Sequence, residues 1–296
     1  MAKVSRRRIP RIPDFDIKAG DFDLALSKRT YVMGVLNVTP DSFSEKGQFF
    51  DAGAATAHAL QMARDGADII DIGGESTRPG AGEVAVEEEL DRVIPVIKAL
   101  AGKLDIPLSI DTRRAEVAEA AIEEGASIVN DVSGLKYDPG MARVAGRHGA
   151  AVIAMHMRAS PRDMQSHTSY ADLMRDIIRD LKGSVAIARK GGIERRRIIV
   201  DPGIGFAKTA GQSLEVIGRL AELGVLGQPV CVGPSRKSFI GKVLAIDDPK
   251  ERVTGTVAAC AIAAVKGARI VRVHDVKEAV QAVRIADSIT QNRIVN

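Results

Sequence analysis

The 296 residues are enough for one large α/β domain to bury its core without disulfide or metal staples. With 45% apolar residues, 3% aromatic residues and no Trp, such a core has to be filled by Val, Ile, Leu and Ala. The net charge of +4 is spread over many charges of both signs, so any pull on anions has to be local.

Part of the positive excess sits at Lys3, Arg6, Arg7, Arg8 and Arg11. No aromatic residues interleave with them, so the segment reads as a solvated extension and no nucleic-acid partner is expected. Cys231 and Cys260 are 29 residues apart, outside any CxxC, and read as small buried residues in a reducing compartment. The basic start is not followed by an apolar stretch, and no apolar run is long enough to span a bilayer. These features predict a cytoplasmic protein without a membrane partner.

Residues 1–28, with Pro10 and Pro13, form a lead-in, and residues 29–296 form the domain proper. A first strand is predicted near 30–38, then a long loop at 39–50 and a helix over 51–65 closed by Gly66. A strand over 67–73 leads into a second loop at 73–82. The spacing of Leu90, Val93, Ile94 and Ile97 predicts a helix over 83–101, with a kink at Pro95. Strand 107–112, helix 113–124, strand 127–132, helix 139–148 and strand 151–156 follow. A polar loop at 157–168 precedes a helix over 169–190, stopped by Gly191 and Gly192. Strand 197–201, helix 210–223, strand 229–234, helix 249–266, strand 269–274 and helix 276–291 complete the chain. The strands are short apolar runs rich in Val and Ile, as expected for strands buried on both faces. Eight strand–helix units without a linker predict one (β/α)₈ TIM barrel with a short N-terminal extension.

Each apolar run ends in a group capable of chemistry, which is how this fold builds an active site. Asn37, Asp71 with Glu75, Asp111, Asn130 with Asp131, His156, Asp201, Ser235 with Lys237, and Arg272 with His274 all stand there. Asp111, Asn130 and Asp201 follow apolar residues and need partners if buried. A heterocycle with an N–H beside an exocyclic NH₂ donates two parallel bonds to one carboxylate, and Asn130 suits a ring nitrogen beside an oxygen. A metal cluster or an internal salt bridge with Lys237 satisfies the same carboxylates. Lys237, Arg236, Arg272 and His274 gather cations at the last two strands, the usual phosphate side of a barrel. Asn37 adds an oxygen of the kind that holds Mg²⁺ alongside substrate phosphates. Against this stand a hydrogen-bonded rim role for His274 and a salt bridge from Arg272 to Glu75 or Asp131. His156, between Met155 and Met157, is a base or a packing histidine, and His58, His148 and His167 read as surface. Neither Gly73-Gly74 nor Gly203-Ile204-Gly205 matches GxGxxG, so hydride chemistry is disfavoured.

Eight segments, met in order between residues 31 and 275, carry a resemblance. They are Gly34-Val35-Leu36-Asn37-Val38-Thr39-Pro40-Asp41-Ser42-Phe43-Ser44, Asp71-Ile72-Gly73-Gly74-Glu75-Ser76-Thr77-Arg78-Pro79-Gly80, Ser109-Ile110-Asp111-Thr112, Asn130-Asp131, Met155-His156-Met157, Asp201-Pro202-Gly203-Ile204-Gly205-Phe206, Ser235-Arg236-Lys237-Ser238 and Arg272-Val273-His274-Asp275. The chain resembles the dihydropteroate synthase family of pterin-binding barrels. The resemblance implies condensation of 6-hydroxymethyl-7,8-dihydropterin pyrophosphate with 4-aminobenzoate, giving 7,8-dihydropteroate and pyrophosphate in folate biosynthesis. It implies that Asp111, Asn130, Met155, Asp201, Lys237 and Arg272 bind the pterin, and that Asn37, Thr77, Arg272 and His274 bind pyrophosphate, with Mg²⁺ on Asn37. It implies aminobenzoate contacts from Thr39, Pro40, Phe43, Arg78, Pro79, Phe206, Lys237 and Ser238, catalytic roles for Asp111, Lys237, Arg272, His274 and Asp41, sulfonamide inhibition, and a homodimer formed through barrel helices.

Three positions depart from the family pattern. Pro234 stands where a small or apolar residue is usual, which predicts modestly altered aminobenzoate affinity. Glu45-Lys46 replaces a common Asp-Gly, and Ala207 replaces a common Gly, a change expected to be tolerated. Two competing readings are a methyltransferase-type pterin-binding module and a non-catalytic pterin binder. Neither explains the cations of Ser235-Arg236-Lys237-Ser238 and Arg272-Val273-His274-Asp275 together with Asn37.

Overall fold

The computed structural model describes residues 16–39, 51–76, 80, 82–160 and 162–295. A short antiparallel hairpin, β1 (Ile17–Ala19) and β2 (Phe22–Leu24), precedes the barrel. The barrel then alternates β3 (Tyr31–Asn37), α1 (Ala52–Arg64), β4 (Ile69–Gly73), α2 (Val86–Leu100), β5 (Leu108–Asp111), α3 (Ala115–Glu123), β6 (Ala126–Asp131), α4 (Met141–His148), β7 (Ala151–Met155), α5 (Leu173–Lys190), β8 (Ile198–Asp201), α6 (Ala210–Gly218), β9 (Cys231–Val232), α7 (Ser238–Leu244), α8 (Val253–Val265), β10 (Ile270–Val273) and α9 (Val276–Gln291). The eight parallel strands lie in the order β8-β7-β6-β5-β4-β3-β10-β9. A parallel bridge between Val200 and Val230 closes the ring, with the Val200 N–H donating to the Pro229 carbonyl at 3.0 Å. The expected (β/α)₈ barrel is therefore what the chain forms.

Side chains on a strand alternate between faces, and here the alternation sorts the interior into layers. Met33, Ile69, Ile128, Ile153, Ile199, Cys231 and Ile270 form one apolar cluster inside the barrel. Two residues further along the same strands stand Val35, Asp71, Asn130, Met155, Asp201, Gly233 and Arg272. Polar chemistry thus sits one layer above an apolar floor, on the same inward face. The opposite face of the strands packs against the helices through residues such as Leu36, Ile70, Ile110, Val129, Val152, Val200 and Val271.

The hairpin was not legible beforehand, and it completes that floor. Ile17, Ala19, Leu24 and Leu26 are buried in the same cluster as the inward isoleucines, so part of the lead-in plugs the N-terminal end of the barrel. Two other differences have local causes. β9 is much shorter than expected, because Pro229 and Pro234 bracket it and neither has an N–H for a ladder. The last long connection holds an additional helix, α7, and the helix expected over 249–266 starts as a 3₁₀ turn, Pro249–Arg252, before α8. α2 continues through Pro95.

Candidate active site

The strand ends converge on one guanidinium. Arg272 Nε donates to Asp71 Oδ2 at 2.6 Å and Nη2 donates to Asp111 Oδ2 at 2.7 Å, while Asn130 Nδ2 donates to the same Asp71 oxygen at 3.0 Å. Four strands are tied together by this cluster. Asp71 and Asp111 each keep their other oxygen, Oδ1, buried and without a hydrogen-bond partner among the described residues. Such atoms are expensive to bury unless a donor reaches them, so they mark where a ligand's N–H groups are wanted. Two carboxylates share one cation, and burial pushes the Asp111 carboxyl up to about 7 against the opposing pull of Arg272. The same carboxylates hold the Arg272 proton more firmly than usual, against the cost of burial.

The expected salt bridges are redistributed. Arg272 pairs with Asp71 and Asp111, not with Glu75 or Asp131. Glu75 instead accepts from Arg113 at 3.0 Å and Arg114 at 2.8 Å, anchoring the start of the loop after β4. Asp131 accepts from the Ser133 and Leu135 backbone N–H groups at 2.7 and 3.1 Å and holds a turn; burial raises it to about 6. Lys237 donates to the Ile204 carbonyl and lies 4.5 Å from the Phe206 ring centroid, a cation–π contact. Burial lowers its ammonium to about 8, with Asp201 opposing. The salt bridge considered between Lys237 and the carboxylates is thus replaced by one from Arg272.

Asp201 Oδ1 accepts from the Gly203 N–H at 2.6 Å, and burial raises its carboxyl. Gly203 is required there: at φ +67° a Cβ would lie 2.1 Å from the His156 carbonyl oxygen. His156 itself is a packed histidine. Its ring is buried, Nδ1 is 3.1 Å from Lys208 Nζ, and burial together with Lys208 pushes its imidazolium down to about 2. Ser235 Oγ accepts from the His274 backbone N–H at 3.1 Å and lies 2.9 Å from Nδ1. Ser235 thereby holds the His274 ring at the end of the last strand. Arg236, at φ +57°, turns away from the site and pairs with Asp275 at 2.5 and 3.0 Å, which aims its neighbour Lys237 inward.

Asn37 ends β3, the neighbour of β10, and Met155 and Ser238 stand at the end of β7 and the start of α7. Thr39 is placed just past β3. Pro40, Asp41, Phe43, Thr77, Arg78, Pro79 and the Glu45-Lys46 pair lie outside the described residues. Asp71 stood among the strand-end groups without an assigned binding role, and Lys208 was not singled out. Asp71 carried the same signal as Asp111, an acid closing an apolar run. Lys208 carried none, because a lysine after Phe206-Ala207 reads as solvated. Among the described residues, the one group of three potential metal ligands is Glu119, Glu123 and His148, on helices α3 and α4 outside the barrel. No helix among them is long and apolar enough to cross a membrane.

Comparison with known proteins matches this geometry. Residues 33–274 match the family described as pterin binding enzyme. The dihydropteroate synthase of Synechocystis sp. is 53% identical over 262 residues, 88% of this chain and 91% of that protein. The Bacillus subtilis dihydropteroate synthase is 47% identical over 266 residues, 90% of each chain. The solved structure of the Yersinia pestis dihydropteroate synthase, in a sulfonamide drug complex, agrees with a TM-score of 0.88 at 44% identity, covering 93% of this chain and 99% of that one. That of the Xanthomonas albilineans enzyme with 4-aminobenzoic acid gives 0.87 at 42% identity, covering 94% and 98%. With such identity over nearly the full length of both partners, and the pterin-binding match running from the first barrel strand to the last, this chain belongs to the dihydropteroate synthase family of pterin-binding barrel transferases.

Proposed function

We propose that the chain condenses 6-hydroxymethyl-7,8-dihydropterin pyrophosphate with 4-aminobenzoate to give 7,8-dihydropteroate and pyrophosphate. The observation that carries this reading is the Asp71–Arg272–Asp111 cluster with its two unpartnered buried carboxylate oxygens. A pterin's N–H and NH₂ edge supplies the donors those oxygens lack, Asn130 and Asp201 flank it, and Lys237 donates to a ring acceptor or carbonyl. Met155 packs on the ring, and Arg272 covers it from the β10 side.

The chemistry forms one C–N bond and breaks one C–O bond. The CH₂–O bond opens, and pyrophosphate departs with the electron pair. Arg272 and His274 stabilise the charge gathering on its oxygens, while Asp111 and Asp41 stabilise the cationic pterin-CH₂ left behind. The neutral arylamine nitrogen attacks that carbon and releases its proton afterwards, so no strong base is needed. Exclusion of water from the site keeps the cation for the arylamine. Aminobenzoate lies along Phe206, Lys237 and Ser238, where sulfonamides compete with it.

The protein offers few ligands for Mg²⁺ at the mouth: the Asn37 amide oxygen is one neutral donor. One neutral oxygen donor beside a site for substrate phosphates fits a hard cation such as Mg²⁺. Asn37 would hold the ion, and bound Mg²⁺ would supply positive charge to the departing pyrophosphate. The buried unpaired cysteines fit a cytoplasmic location, and the exposed apolar face of α8 and α9 fits a homodimer.

Pyrophosphate release from the dihydropterin substrate, measured with and without 4-aminobenzoate and Mg²⁺, tests the proposal. Mg²⁺-dependent release with formation of dihydropteroate supports it. Pterin binding by calorimetry with no release overturns it in favour of a binding-only relative.

A further inference from the structure

The loop from β8 to α6 offers five consecutive carbonyls, and each one accepts a side-chain hydrogen bond. Lys208 Nζ donates to Gly203 at 3.0 Å and to Phe206 at 3.1 Å. Lys237 donates to Ile204. Gln165 Nε2 donates to Gly205 at 3.0 Å, and the Tyr170 hydroxyl donates to Ala207 at 2.9 Å. Gly203, Ile204 and Ala207 are buried and Gly205 and Phe206 half-buried, so these oxygens need protein partners, and here side chains from outside the loop's own backbone supply them. Saturation of this kind fixes the backbone that carries the Phe206 ring.

Lys208 is the centre of the arrangement. It is 3% exposed, and its ammonium has three protons for three neutral acceptors: the two carbonyls and His156 Nδ1 at 3.1 Å. His156, kept neutral by its surroundings, presents a lone pair there. Lys208 forms no salt bridge among the described residues; Asp201, Asp180, Lys237 and Arg158 are the charged groups that bear on it. Burying a lysine without a paired carboxylate is costly. A residue kept only for packing would be better served by an apolar chain.

We propose that Lys208 is a positioning residue for the aminobenzoate side of the site, clamping the 203–207 backbone so that Phe206 and the Ile204 carbonyl are held ready for the second substrate. The proposal rests on the condensation reading for its substrate, but the clamp itself is a property of the loop. It predicts a division between substrates. In Lys208→Met, the Michaelis constant for 4-aminobenzoate rises about tenfold, as expected for loss of buried charge-assisted bonds. The Michaelis constant for the dihydropterin pyrophosphate and kcat change by less than about twofold. Backbone amides of 203–207 exchange hydrogen faster, while those of the strands do not.

Two milder variants guard against a folding defect. Lys208→Gln retains neutral donors and falls between wild type and Lys208→Met. Gln165→Ala removes only the exposed donor to Gly205 and moves aminobenzoate affinity in the same direction by less. Equal loss for both substrates, or unchanged exchange at 203–207 in Lys208→Gln and Lys208→Met, overturns the proposal. If wild-type protein makes no dihydropteroate, the condensation reading fails by itself, and the exchange measurement alone decides the clamp.

Discussion

Arg272 has one positive charge and two carboxylates to satisfy, so the protonation of Asp111 becomes part of how the site works. With its carboxyl raised to about 7, Asp111 is partly protonated at neutral pH in the ligand-free protein. A protonated carboxyl is a poor acceptor for a paired N–H and NH₂ edge. Pterin affinity, followed by calorimetry between about pH 6 and 8, should therefore rise with pH, and Asp111→Asn should bind more weakly with a flattened profile. Affinity independent of pH in the wild type would count against a carboxylate acceptor at this position. The stability consequence has the same origin. The folded carboxyl holds its proton from about pH 4, the ordinary carboxylate range, up to about 7, and the unfolded one does not. The stability associated with Asp111 is thus present in acid and lost as pH rises through that window, relative to Asp111→Asn. Ala207 is a residue-scale departure of another kind. Its φ of +49° lies where a Cβ costs about 1 kcal/mol, which explains why glycine is common there. Burial of its methyl group and the Tyr170 bond to its carbonyl offset part of that.

At the scale of elements, the barrel strands were legible because each is an apolar run buried on both faces, closed by a polar residue. The same rule exposed Asn130 and Asp201, each two positions above an inward isoleucine, Ile128 and Ile199, while Asp111 shares its face with the buried Ser109. Elements whose signal is shorter than a period escaped. β1 and β2 have three residues each, too few for alternation to register, and α7 has seven with Gly241 inside. Partners were also out of reach: that Arg272 meets Asp71 and Asp111, while Glu75 meets Arg113 and Arg114, depends on how the barrel closes. The missed hairpin yields a test of its own. Leu26 follows it and is fully buried in the apolar floor. Leu26→Ala should cost about 2–5 kcal/mol in urea unfolding, through lost burial and a residual cavity. Michaelis constants should stay near wild type, because conservation of chemistry at one end of a barrel leaves the other end to stability. A large rise in either constant without a stability loss would mean that the plug governs the site.

For the whole molecule, one side of the barrel stands apart. α8 is a helix of small and apolar residues, and its Ile262 and Val265 are 50% and 53% exposed. On α9, which packs beside it, Ile285 and Ile289 are 64% and 70% exposed and one helical turn apart. Isolated exposed apolar residues are ordinary, but aligned ones on adjacent helices suit a helix-to-helix interface related by a two-fold axis. The strand ends carrying the reaction face a different direction, so pairing through these helices leaves both mouths open. The outcome expected in sedimentation is a dimer for the wild type and a monomer for the double variant Ile285→Glu, Ile289→Glu, since opposing copies would bury like charges without partners. Because Asp71, Asp111 and Arg272 come from one chain, the monomer should retain the wild-type Michaelis constants, measured at concentrations where both forms are stable. A monomeric wild type would leave this face without a second copy as its partner. A dimeric double variant would move the interface elsewhere on the barrel.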